Sequence, residues 1–315
     1  MSNLKIGLAQ ISPVWLDREK TLEKVQQWVS DAADQGCRLV AFGETLVPGY
    51  PFWLSITDAA KFESDVQKEI HSVYLDQAIC IESGHLDGLA KLAGQREIEV
   101  MVGCYERPAD RGGHTGYASL VRISAQGNIE NVHRKLVPTY EERLAWGSGD
   151  GHGLKVFPLD RFTVGGLNCW ENWMPLVRSA LYAQGENLHI AIWPGCRRNT
   201  RDITRFIASE SRSFVLSVSG VMTKNDIPNS MPHRDLIVDA APEIFADGGT
   251  CVAGPDGNWI VEPVDGVEQL VVAELDFDFI LRERQNFDPS GHYSRPDVTQ
   301  LVVNRKRQST VQLED

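Results

Sequence analysis

Strand-like and helix-like runs alternate along this chain, and that rhythm restricts its 315 residues to an α/β architecture more firmly than any other feature. KIGLAQI reads as a strand. Asp17 can cap a helix over REKTLEKVQQWVSDAAD, whose Leu22, Val25, Trp28 and Ala32 share one face, and Gly36 stops it. RLVAF returns as a strand and completes a βαβ unit. A helix around GLAKLAGQRE follows, then the strand EVMVGCYE, then strands SLVRIS and NIENVHRK on either side of the turn AQGN. The second half repeats the rhythm with strand FTVGGLNC, helix MPLVRSALYAQG, strand LHIAIWP and helix TRDITRFIASESRS, the last with Ile203, Phe206 and Ile207 on one side. VLSVSGV, TCVAG and NWIVEP close it as strands, the last two around the turn PDGN. Residues 58–85 and 223–248 carry no such pattern and are expected to be irregular. The combination predicts an αββα sandwich, two sheets face to face with helices outside in four layers. It is expected to form one domain over residues 1–315 with a short tail from about 305.

Three reactive side chains stand where such a fold places its ligands, beyond the carboxyl ends of strands. Glu44 follows RLVAF and leads into the turn-rich GETLVPGYP. Lys135 closes NIENVHRK and leads into LVPTYEERLAWGSGDG. Cys169 lies in GGLNCWENWMP, at the junction of a strand and a helix, where free backbone N–H groups and the helix dipole favour a thiolate. Taken singly, each residue has an ordinary reading as a strand-end charge or a buried small hydrophobe. Together they supply a nucleophile, a base and a cation.

Composition excludes several other classes. A formal net charge of −12 disfavours nucleic acid and anionic membrane as partners, since both reward clustered Lys and Arg. The six cysteines, at 37, 80, 104, 169, 196 and 251, form no C-x-x-C pair, so a zinc ribbon or redox pair is not expected. GSGDGHG and GGHTG lack the spacing of phosphate-binding loops. MSNLKIGLAQ reads as a first strand rather than a leader, and no run of about 18 apolar residues occurs. A cytoplasmic protein without disulfides is the expectation. His133 lies near Lys135, but no His, Asn or Asp block resembles a thiol-protease signature, and it is expected to be a satisfied strand residue.

GETLVPGYP, HRKLVPTYEERLAWGSGDG and GGLNCWENWMP resemble the three signatures of the nitrilase superfamily, specifically its nitrilase branch, and the likeness runs from KIGLAQ to GHYSRPDV. The resemblance implies the αββα architecture, a Glu44–Lys135–Cys169 triad and a supporting role for Glu142. It also implies homodimers that stack into larger assemblies, and no metal or organic cofactor. The substrate implied is a small-molecule nitrile, hydrolysed to carboxylic acid and ammonia through a cysteine thioimidate and thioester. Cyanide-converting and amide-hydrolysing members of the superfamily, and a non-catalytic scaffold of the same fold, are the alternatives. Tyr50, Trp53, Tyr140, Trp146, Trp170 and Trp193 could line a small apolar pocket, with Asn172 beside them. Two departures stand out. Many nitrilases read C-W-E-H where this chain has Asn172, which bears on substrate preference, and its tail is shorter than that of many relatives.

Overall fold

The computed structural model describes residues 3–311. The first half contains strands β1 (Leu4–Gln10), β2 (Leu39–Phe42), β3 (Glu99–Glu106), β4 (Tyr117–Ile123) and β5 (Ile129–Arg134), with helices α1 (Arg18–Asp34), α2 (Asp65–Asp76) and α3 (Asp87–Arg96). In the second half come β6 (Phe157–Leu159), β7 (Phe162–Asn168), β8 (Leu188–Trp193), β9 (Phe214–Ser219) and β10 (Val221–Thr223), with α4 (Pro175–Tyr182), α5 (Arg197–Ser211) and α6 (Arg234–Ala240). β11 (Ile244–Ala253), β12 (Trp259–Asp265), β13 (Gln269–Leu275) and α7 (Phe277–Arg284) follow.

One sheet has the order β13-β1-β2-β3-β4-β5, the other β10-β11-β9-β8-β7-β6 with β12 on β11. β1, β2 and β3 are mutually parallel, as are β7, β8 and β9, while hairpins supply the antiparallel strands. β13 crosses back to pair with β1, so the last strand of the chain completes the first sheet.

Alternation along the strands builds the layers. In β2, Leu39 and Ala41 point between the sheets, where they meet Ile190, Ile192, Leu216 and Val218. Val40 and Phe42 point outward and pack with Leu22, Val25 and Val29 of α1 and Leu89 and Ala93 of α3. On the far side Ile203, Ile207 and Ala208 of α5 cover Ala191, Trp193 and Val215, and Val177 and Leu181 of α4 cover Leu167. Helix, sheet, sheet and helix thus form the αββα sandwich. α1 begins as expected, with the Asp17 carboxylate accepting the Lys20 N–H at 3.0 Å.

Two expectations are corrected. Residues 58–85 contain α2, whose Ile70 and Tyr74 are buried against Trp53 and Tyr105, and residues 223–248 contain α6 with Ile237 in the same cluster. Phe206 is not on the buried side of α5 but is half exposed. The described part of the tail packs back on the domain. Arg307 donates to the Asp150 carboxylate and the Val132 carbonyl, each at 3.0 Å, and the Gln308 N–H donates to Asp150 at 2.9 Å. Residues 312–315 lie outside the described residues.

Candidate active site

Each of the three reactive residues leaves a strand end under a specific backbone constraint. The Glu44 N–H, two residues past β2, donates at 3.0 Å to the Trp193 carbonyl at the end of β8 and so ties the two sheets together. Its backbone lies so close to β3 that a Cβ on Gly103 would fall 2.2 Å from the Gly43 carbonyl oxygen and 2.8 Å from Glu44 Cα. Only glycine fits there. Lys135 directly follows β5, its N–H donating to Ala118 and its carbonyl accepting from Gly149, both at 2.8 Å. Cys169 directly follows β7 with φ at +48°, a left-handed conformation that is strained for a residue with a side chain.

The strand does not run straight into an α-helix, as the sequence suggested. A five-residue 3-10 turn, Cys169–Trp173, intervenes, and α4 begins only at Pro175. Glu171 reaches back from that turn to accept the Asn168 N–H at 2.9 Å, the glutamate arm of a capping box that an Asn-x-x-Glu spacing can signal.

The side chains converge. Lys135 Nζ stands 2.9 Å from Glu44 Oε1 and 2.7 Å from Glu142 Oε2. A carboxylate oxygen of Glu44, one of Glu142 and the Cys169 sulfur all lie within 4.8 Å of one another. Glu142 is fixed by the Tyr50 hydroxyl, which donates to Oε1 at 2.6 Å, and by the Thr139 N–H on Oε2 at 2.5 Å. The Lys135 ammonium also sits 5.3 Å from the Trp146 ring centroid, and Tyr50 meets Trp146 edge-on. Two carboxylates and a sulfur could in principle ligate a metal ion, but the Lys135 ammonium already supplies the cation between the two carboxylates.

Burial governs the charges. It drives the Glu44 carboxyl up to about 8, and the neighbouring Lys135 charge offsets only part of that rise. The ammonium stands at ion-pair distance from Glu44, yet neither oxygen of that carboxyl receives a well-aligned hydrogen bond. For Lys135 burial opposes the charge, but Glu44, Cys169 and Glu142 outweigh it, so the group remains an ammonium. Burial and the Glu44 charge push the Cys169 thiol well above its ordinary range, against the pull of Lys135 and the Trp170 N–H. Its resting form is therefore the thiol. The free N–H at the strand-to-turn junction pulls toward the thiolate as expected, while burial pulls the other way.

The expected pocket residues divide. Tyr50 joins Glu44, Phe52, Pro194, Val221 and Met222 around a narrow cavity of about 10 Å³, room for roughly one water. Tyr140 and Trp170 are exposed, at 82% and 46%, outside this cavity. Trp53 is buried, packed against Trp15 and Tyr74 as part of the aromatic core. Trp193 is likewise buried, its indole N–H donating to Ser217. Asn172 cannot offer a polar atom to a substrate. Its side chain is buried, with Nδ2 on the Cys169 carbonyl and Oδ1 on His189. Sequence reasoning gave no part to Glu171, Glu186 or His189, all of them buried beneath the nucleophile turn. His133, expected to be satisfied in its strand, sets Nε2 3.0 Å from Glu171, while its Nδ1 has no hydrogen-bond partner.

The sequence pattern of the carbon-nitrogen hydrolase family matches residues 5–284. An aliphatic nitrilase of Sinorhizobium fredii is 33% identical over 311 residues, covering 99% of this chain and 99% of that protein. Nitrilase 2 of Arabidopsis thaliana is 33% identical, covering 96% of this chain and 88% of its own length. A bifunctional nitrilase/nitrile hydratase of Lupinus angustifolius is 34% identical, covering 95% and 86%. Among solved structures, an amidase from Nesterenkonia sp. shares the fold with a TM-score of 0.65 at 18% identity, covering 90% of this chain and 95% of that one.

Proposed function

This chain belongs to the carbon-nitrogen hydrolase family and is a hydrolase of C–N bonds, and from that premise we propose that it is a nitrilase, converting an organic nitrile and two waters into a carboxylic acid and ammonia. The observation that carries the reading is the meeting of one sulfur, one carboxyl without an aligned hydrogen-bond donor and one ammonium in a buried site. Whole-length likeness to nitrilases supports the choice of substrate class.

A nitrile carbon is a weak electrophile and calls for a soft, strong nucleophile. Cys169 is that nucleophile once Glu44 takes its proton, and a carboxyl near 8 is poised to accept one close to neutral pH. As sulfur bonds to carbon, negative charge builds on the nitrile nitrogen. Lys135 faces it, with the Trp170 N–H as a second donor. Loss of one such preorganised donor typically costs about 2.7–4 kcal/mol. Glu44 returns the thiol proton to that nitrogen, which gives a thioimidate and leaves the carboxylate free again. Glu44 then takes a proton from water, the hydroxide adds to the same carbon, and the C–N bond breaks to release ammonia. The remaining thioester is hydrolysed by a second water, freeing the acid and restoring the thiol. Glu142, pinned by Tyr50 and Thr139, holds Lys135 in place through both waters' attack.

The same tetrahedral species releases an amide when its C–S bond breaks in place of C–N. Product analysis on aliphatic, arylacetic and aromatic nitriles, cyanide and the matching amides therefore tests the reading. Ammonia and acid in equal amounts are expected, with an acyl or imidate adduct on Cys169 by mass spectrometry. No adduct and no ammonia from any member of the panel would leave only a scaffold.

A further inference from the structure

Around Asn172 of the nucleophile turn lies a second buried polar chain. Asn172 Nδ2 donates to the Cys169 carbonyl at 2.8 Å and lies 3.4 Å from the Leu167 carbonyl. Both neighbours are pure acceptors, so the amide cannot be turned over without setting oxygen against oxygen. Its Oδ1 therefore faces His189 Nε2, 2.8 Å away, and that nitrogen must carry a hydrogen. His189 Nδ1 lies 2.9 Å from Glu186 Oε1. One proton between Nδ1 and the carboxyl serves either charge state of the pair, and Nε2–H is retained in both. Room for Glu186 comes from Gly165, where a Cβ would fall 2.1 Å from that carboxyl oxygen. Asn172 is anchored by its backbone too. Arg178, forked onto Glu210, donates to the Asn172 carbonyl at 2.7 Å.

The contact with the Cys169 carbonyl has a consequence on the opposite side of the same peptide. The bond from Cys169 to Trp170 is trans, so its C=O and N–H point in opposite directions. Holding the carbonyl toward Asn172 turns the Trp170 N–H to the opposite face of that peptide, and this N–H acts to lower the Cys169 thiol against the effect of burial. The left-handed backbone of Cys169 persists only if its surroundings fix it, and Asn172 on the carbonyl and Glu171 on the preceding N–H are the two fixing contacts.

We propose that Asn172, held by His189 and Glu186, is a positioning residue that aims the Trp170 N–H at the reacting atoms. The proposal rests on the catalytic reading above only in taking that N–H as a donor to the developing anion. It applies equally to nitriles and amides.

Asn172→Leu, close in size but without either polar group, tests it. A fall of about 10–100-fold in kcat is expected, with KM within about threefold, the scale set by lost outer contacts of a reactive group. Loss through His189→Leu should be non-additive with it, since both act through one chain. His189→Gln, whose amide N–H can stand in for Nε2–H, should restore most of the rate. Alkylation of Cys169 by iodoacetamide, which needs no turnover, should slow in Asn172→Leu. An Asn172→Leu protein that folds and keeps kcat within about twofold, or loses activity through KM alone, overturns the proposal. If that variant fails to fold, the His189 pair decides: Gln no better than Leu overturns it. A wild type that turns over amides and no nitrile sinks the nitrilase reading while leaving every one of these comparisons measurable.

Discussion

Glu44 and Glu171 are both buried beside Cys169, one on the pocket side of the nucleophile turn and one beneath it, and they ionise in opposite directions. Burial penalises both. Beneath the turn, Glu171 accepts the Leu136 N–H at 2.6 Å and the Asn168 N–H at 2.9 Å and has His133 at 3.0 Å, and these partners outweigh burial to hold its carboxyl low. In the pocket, Glu44 has an ammonium nearby and no aligned donor, and its carboxyl rises to about 8. The same residue type at the same depth serves as a rivet where it is saturated and as a base where it is left hungry.

The sharpest way to break this contrast is to neutralise each carboxylate. Glu44→Gln should lower kcat by about 10²–10⁴, the usual contribution of a positioned base, in steady-state assays. Its thermal midpoint should shift less than that of Glu171→Ala, because the Lys135 ammonium, losing its Glu44 partner at 2.9 Å, keeps Glu142 at 2.7 Å. Glu171→Ala should act on the fold, lowering the unfolding free energy by about 3–5 kcal/mol in denaturant titration, as removal of one partner from a buried pair does. A Glu44→Gln protein that unfolds more easily than Glu171→Ala would end the distinction. The smallest effect lies in pH. Activity should rise through about pH 8 as Glu44 becomes carboxylate. Because its folded value exceeds the ordinary 4.5, the native state binds the more protons between these limits, so stability should decline as pH rises across about 4.5 to 8. Glu171, held low, has the opposite sign: its contribution is full above 4.5 and is lost as pH falls below it. Glu44→Gln should flatten the first slope and leave the acid limb untouched.

Strand-end chemistry is readable in the residues because Glu44, Lys135 and Cys169 each stand at the end of a strand-like run, and the sheets bring such ends together. Less legible were the partners that fix them. His189 reads as an ordinary member of the strand LHIAIWP, and nothing local says that its ring will meet Asn172 from the neighbouring strand's turn. α2 was a different kind of omission. Val66, Ile70, Val73 and Tyr74 have helical spacing, but the flanking FESD and QAIC stretches gave no clean start or stop. The chemistry of Trp53 and Trp193 suits a pocket, yet a large ring near a site fills the core as readily as it lines a cavity, and both are buried.

The bare backbone at residue 103 limits how such a pocket can diversify. A side chain at residue 103 would strike the Gly43 carbonyl and the Glu44 backbone, so variation in the cavity beside the base falls to lining residues such as Phe52, Val221 and Met222, while Tyr50 is committed to Glu142. A lineage of descendants could thus trade its diet freely at the rim while inheriting its inner wall unchanged.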